Sequence, residues 1–424
     1  MMSINAKTQS YLPKYESIEL ENGLQVVVVP MKNGSGVIET DVFYKVGSRN
    51  ETMGKSGIAH MLEHMNFKSS KHLKAGQFDE IVKRFGGLTN ASTGFDYTRY
   101  FIKSSAQNLD KSLELFAELM QNLNLKKEEF LPERKVVAEE RRWRTDNSPM
   151  GYLYFRFFNT AFVYHPYHWT PIGFMEDIEN WSIDDIRHFH SVYYQPKNAV
   201  VLVAGDIEPK KVFESVKKHF SSIKNTIPEI PKVYMQEPPQ DGAREAVIHK
   251  ETELEWLALG YKIPNFSHKD QVALGAIADL LSEGKSSFLH SDLVDEKRLA
   301  SQVYAYNMGL KDNGIFLFIA GANQGIEAKK IKEEILAIIN RLKEGKITKE
   351  QLDKIKMNNR ASFIYSLEDS SSVAELFGGY FARGDVKPLL EYEEKFEALS
   401  VKDIVEVANK YFIDPASTTM ILKK

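Results

Sequence analysis

Cysteine is absent from all 424 residues, which excludes disulfides, thiolate metal ligands and thiol nucleophiles. No apolar run approaches the roughly 20 residues that a membrane-spanning helix needs, so no membrane partner is expected. Neither sign of charge dominates: 55 Lys and Arg face 58 Asp and Glu, a formal net charge of −3. A nucleic-acid surface requires a marked basic surplus, and that partner class is set aside. Residues 1–15 are polar and carry no apolar core of the signal-peptide kind. The expected compartment is the cytoplasm, or the periplasm where a signal peptide has been removed.

What remains is a globular composition, 43% apolar and 27% charged. The chain is too long for one ordinary core and predicts two large domains. Asn22-Gly23 marks a turn, and Leu24 to Val29 and Val37 to Val46 read as strands. Ser56 to Phe67 reads as a helix with Ser56 as its N-cap. Leu88 to Ser104 follows as strand, turn, strand, then helices at Leu109 to Leu123 and Glu129 to Thr145, and a strand at Val200 to Ala204. Residues 228–242 are rich in Pro, Gln and Asp and read as a linker. Beyond it the order recurs: a strand at Leu257 to Tyr261, a helix at Asp270 to Leu281, paired strands within Ser301 to Ala320, and helices at Ala328 to Leu342 and Thr348 to Phe363. The expected fold is therefore α+β, with two structurally similar domains, each a mostly antiparallel sheet with helices packed on it. Their bounds would be 1–227 and 243–424, the second lacking the metal motif of the first.

That motif is His60-Met61-Leu62-Glu63-His64, within the apolar helical stretch Gly57 to Met65. Residues four apart share one helix face, so both imidazoles reach one cation. Zinc accepts neutral imidazole and carboxylate, and a catalytic site keeps one position for water. Glu63 can approach the open side of the metal and take a proton from that water; this H-x-x-E-H order is an inverted zincin pattern. A third ligand must come from elsewhere. Glu133 and Glu140, seven apart on the later helix, share a face, and one could bind zinc while the other orients a ligand. Spacing does not choose between them. Glu139 faces elsewhere, and with Arg141 to Arg144 it reads as a solvated charged surface.

These residues resemble the pitrilysin family of zinc peptidases, nearest its short bacterial, processing-peptidase-like members. The resemblance runs through Gly57 to Phe67, Asn90-Ala91-Ser92-Thr93, Glu133 to Glu140, Pro171-Ile172-Gly173, Tyr194 to Asn198, and Val203-Ala204-Gly205-Asp206. It implies that Glu140 is the third zinc ligand, Glu133 the carboxylate behind it, and Glu63 the general base. It implies that Asn90 and Ala91 lie on an edge strand that receives the substrate as an added strand, and that Phe67 walls the pocket just past the scissile bond. The expected activity is hydrolysis of extended peptides or unfolded polypeptides inside a chamber enclosed by a dimer.

One departure stands out. Active relatives carry an Arg and a Tyr seven apart in the second domain, which hold the substrate backbone; here those positions are Val294 and Ser301. Arg298, Tyr304 and Tyr306 are near but out of register. The expected partner is therefore a homologous, inactive subunit that supplies the Arg–Tyr clamp, or a second copy of the chain using Tyr304 or Tyr306. A weakly active, zinc-binding scaffold subunit is the alternative. A structural zinc site would need a fourth protein ligand; His165 and His168, in a turn-like setting, read as loop residues.

Overall fold

The computed structural model describes residues 10–424, so most of the N-terminal stretch read above for a leader lies outside the described residues. The described strands form two sheets. The first contains β1 (Glu16–Glu19), β2 (Gln25–Pro30), β3 (Val37–Tyr44), β4 (Leu88–Thr93), β5 (Thr98–Ser105) and β6 (Ala199–Gly205), in the order β1-β2-β6-β3-β5-β4. The second contains β7 (Arg244–His249), β8 (Trp256–Ile263), β9 (Ala300–Met308), β10 (Gly314–Ala322) and β11 (Ser417–Lys423), in the order β7-β11-β8-β10-β9.

In the first sheet only β2 and β6 pair in parallel, and in the second only β7 and β11. With β1 set aside, the two sheets share one connectivity: the first strand pairs with the last, and the third becomes an open edge. That edge is β4 in one sheet and β9 in the other. The α+β, two-similar-domain architecture is thus present. Asn22 and Gly23 make the expected turn, with Gly23 at a φ of +82° and the Asn22 side chain accepting the Leu24 amide. β2 carries four consecutive buried valines, Val26 to Val29, as a strand covered on both faces should.

The contacts divide the chain differently from its contiguous halves. One compact unit comprises the described residues up to Val137 with Pro171–Val233 and Ala361–Glu394; the other comprises Ala138–Thr170, Tyr234–Arg360 and Lys395–Lys424. Helix Pro149–Ala161 of the first half belongs with β8 and β11, where Gly260 leaves room for the Phe157 ring; a Cβ there would come within 2.5 Å of it. Helix Ser370–Arg383 of the second half belongs with β3 and β6, its Gly378 lying directly on Phe43. Valines and leucines of β2 and β6, with Phe43, Val373, Phe377 and Phe381, make one buried cluster there.

Residues 228–242 hold no helix or strand. Glu237 anchors this stretch by accepting the backbone amides of Val163, Tyr164 and His165. Among the described residues no helix is long and apolar enough to cross a membrane.

Candidate metal centre

Helix α1 (Ile58–Asn66) buries Ile58, Ala59, Met61, Leu62 and Met65, which leaves His60, Glu63 and His64 on the opposite, partly open face. Its start differs from expectation. Ser56 is not the cap: its hydroxyl donates to Asp177 and accepts the Phe174 amide. The chain instead enters the helix through Gly57 at a φ of +82°, where a Cβ would press to 2.6 Å from the Ile172 carbonyl. This close approach explains the Pro171-Ile172-Gly173 segment. The free helical amides are met by Glu51, a carboxylate only 1% exposed, which accepts from Gly57 and from Ala59, both at 2.8 Å. Nothing in the sequence spacing pointed to Glu51.

The third donor arrives on helix α2 (Lys127–Arg141). Glu133, in its middle, accepts from His64 Nδ1 at 2.8 Å and from Lys68 Nζ at 2.6 Å. Burial alone would push the Glu133 carboxyl up, but these two partners outweigh it and hold it below its usual range. A His64 ring that donates from Nδ1 keeps the Nε2 lone pair for a cation. Two turns further along the same helix, Glu140 comes together with the histidines: one ligand atom from each of His60, His64 and Glu140 lies within 4.8 Å of the others. The two imidazole rings stand nearly perpendicular, 4.7 Å apart. Two imidazoles and one carboxylate, all partly open, match the donor set of a catalytic zinc site, which takes three protein ligands. So the residues present fit that metal. Glu140 also pairs with Arg144 at 3.1 Å, while Glu139 is exposed and pairs with Arg142. Past Arg141 the helix runs on beyond Thr145 but widens: Arg142–Asp146 form a π-turn.

Glu63 accepts a hydrogen bond from Thr93 Oγ1, which ties the motif helix to β4. Asn90 and Ala91 lie on that strand, paired with Phe101 and Tyr100 of β5 on one side; the other side is the open edge of the sheet. The Asn90 side chain accepts the Ala91 amide at 2.9 Å. Phe67 ends α1 and packs on Phe78 and Tyr100, at 5.6 and 5.9 Å, so much of its ring belongs to the core. His165 and His168 are not part of the metal group. His165 bonds Asp312 at 2.9 Å and His168 bonds the Phe162 carbonyl at 2.6 Å. Ser301 bonds the Gly321 carbonyl, and Tyr304 and Tyr306 project exposed from β9, their rings 6.0 Å apart.

Two family models cover most of the chain: Insulinase (Peptidase family M16) matches residues 27–155, and Peptidase M16 inactive domain matches residues 180–359. The chain belongs to the M16 peptidase family. Among M16 proteins it is similar to the zinc protease PqqE of Helicobacter pylori, 66% identical over 98% of this chain and 94% of that one. The crystal structure of a protease from Helicobacter pylori superposes with a TM-score of 0.97 at 66% identity, covering 98% of this chain and all of the other. A more distant M16 relative is cytochrome b-c1 complex subunit 1 of Bos taurus, 24% identical over 96% of this chain and 86% of the relative. The resemblance read from the motifs, to a short bacterial M16 zinc protease, therefore holds.

Proposed function

We propose that this M16 protein is a zinc-dependent endopeptidase acting on extended peptides or unfolded polypeptides. The observation that carries the reading is the meeting of His60, His64 and Glu140 with Glu63 on the same helix face. His60, His64 and Glu140 would hold the ion, and Glu133 fixes the His64 ring behind it. When bound, zinc polarises the scissile carbonyl and lowers the pKa of a water molecule. Glu63 takes the proton from the attacking water and returns it to the leaving amine. Thr93 donates to one Glu63 oxygen and so steadies the carboxylate.

The substrate lies extended along β4, adding a strand at its open edge through main-chain bonds. Displacement of the Asn90 side chain frees the Ala91 amide for it. Phe67 presents the rim of its ring just past the scissile bond. Main-chain pairing is tolerant of sequence, which suits unfolded chains.

Val294 and Ser301 stand where the family has its backbone-holding Arg and Tyr. The working form is accordingly a dimer, either with a homologous subunit carrying that pair or with a second copy contributing Tyr304 or Tyr306. The same departure favours one other reading, a zinc-binding scaffold subunit of low activity; the M16 relative from Bos taurus is itself named as a subunit of a larger complex. The test is hydrolysis of a quenched peptide library by the zinc-loaded chain, beside Glu63→Gln and a chelated sample. Turnover lost in both controls supports the peptidase. No turnover, with about one zinc per chain retained, points to the missing clamp-bearing partner; no turnover after a homologous subunit carrying the Arg–Tyr pair is added supports the scaffold.

A further inference from the structure

We infer that Trp143, with Val136, forms an apolar subsite beside the metal group that receives one hydrophobic side chain of the extended substrate. The inference rests on the peptidase reading. Trp143 is 73% exposed and Val136 50% exposed, whereas Trp169 and Trp181 are buried. A large aromatic left in water beside a reactive centre is the usual mark of a binding contact, since Trp dominates the energetics of such patches.

Helix phase places both residues. Steps of three and four keep to one helix face. Glu133, Val136 and Glu140 follow one another by such steps on α2, and Trp143 is the second residue of the π-turn that continues it, so the apolar pair flanks the carboxylate in the metal group along the chain. Val136 is about 6 Å from Glu140 along the α2 axis, and Trp143 follows Glu140 by three residues.

The segment that carries the indole is built to hold it outward. Arg141 is buried against the Phe155 ring at 3.9 Å and pairs with Asp146 at 3.1 Å. Arg142 pairs with Glu139, and Arg144 with Glu140. Gly151 packs so tightly on the Arg144 carbonyl that a Cβ would sit 2.0 Å from it. The charged neighbours on both sides are thus engaged, and the π-turn Arg142–Asp146 is fixed while Trp143 stays in solvent. An extended peptide advances about 3.3 Å per residue with alternate side chains on opposite faces. A side chain one or two positions from the scissile bond is the one this subsite would receive. Continuity with the metal face, rather than with any separate surface, assigns the occupant to the substrate and not to a second copy of the chain.

The test has two arms on the zinc-loaded full chain. The first compares kcat/KM for quenched peptides that differ only in Ala, Leu or Phe at the positions flanking the cut. The expected wild-type preference for Phe or Leu over Ala is about tenfold at one position, and Trp143→Ala abolishes it there. The second arm follows tryptophan emission of Glu63→Gln as an uncleaved Phe-containing peptide is added. Emission moves to the blue, and the shift vanishes in the Glu63→Gln/Trp143→Phe double variant, which keeps the apolar volume. A preference that survives Trp143→Ala, or hydrolysis without any emission shift, overturns the subsite. So does a Trp143→Ala protein that only changes its dimerisation, which would hand the surface to a second copy. An emission shift without hydrolysis by the wild type, alone or with a homologous subunit carrying the Arg–Tyr pair, leaves the subsite standing and sinks the peptidase reading instead.

Discussion

Glu51 is the residue whose loss tests most directly how the metal helix is held. It is buried, and its two oxygens accept the Gly57 and Ala59 amides at the start of α1, both at 2.8 Å. A hydrogen bond to a charged group contributes roughly 1.5–3 kcal/mol, and loss of a helix cap costs roughly 0.5–2 kcal/mol. Glu51→Ala removes both bonds and leaves the Gly57 and Ala59 amides without that carboxylate inside the fold. The expected loss is about 3–5 kcal/mol, or roughly 6–20 °C in melting temperature for units of this size. Glu51→Gln keeps one strong acceptor and should lose about half as much. Because His60 lies in the first turn of α1, the frayed helix should also bind zinc roughly 10–100-fold more weakly, the range seen when supporting groups of a metal ligand are removed. Thermal unfolding in chelator separates the fold from the metal, and competition with a chromogenic chelator reads affinity. A Glu51→Ala protein melting within about 1 °C of wild type would refute the cap. A lowered melting point with unchanged zinc affinity would show that the cap holds the fold but not His60.

Three further perturbations follow from the same geometry. Glu133→Gln removes the charge behind His64 and should weaken zinc binding roughly 10–100-fold while leaving one equivalent bound at saturation; unchanged affinity in chelator competition would remove Glu133 from the site. Gly57→Ala puts a methyl against the Ile172 carbonyl at a positive φ, so it should cost at least about 1–2 kcal/mol; a melting point equal to that of wild type would show that the loop at 171–173 gives way freely. Burial pushes the Asp279 carboxyl up to about 6, with the Asn359 amide opposing and Glu283 adding to it. Since this folded value lies above the unfolded one, the ionised group costs stability above about pH 6, and the cost fades as the pH falls toward 4. Asp279→Asn should therefore stabilise the protein by up to about 3 kcal/mol at pH 8 and by much less at pH 4.5. Equal gains at both pH values would contradict that sign.

The motif helix was legible because helical spacing is local: three residues within five positions share one face whatever surrounds them. The edge position of β4 was not, since it depends on which strands pair, and residues 205 and 38 meet only in the folded sheet. Glu133 and Glu140 could not be told apart by spacing, since both lie on one face of α2. Only the placement of that helix along α1 sets one against His64 Nδ1 and the other within 4.8 Å of the ligand atoms of His60 and His64. Ser56 looked like a cap because it precedes an apolar helix. Gly57 at positive φ turns the chain there, so the hydroxyl meets Asp177 and a carboxylate from six residues before Gly57 takes the amides. The exchange of helices between units left no periodic trace at all; it rests on Gly260 under Phe157 and Gly378 on Phe43, single close contacts between residues more than a hundred positions apart.

That exchange has a consequence for how the chain must be made. The apolar face formed by Val27, Val29, Phe43, Val200 and Leu202 is complete once β6 has emerged, yet its cover begins only at Ser370, some 165 residues later. At about 5–20 residues per second of synthesis, that face stands bare for roughly 10–30 s. A fragment ending at the linker would never bury it. The molecule is therefore indivisible in production although its sheets share one connectivity, and the first sheet stays uncovered there until the last eighth of the sequence arrives.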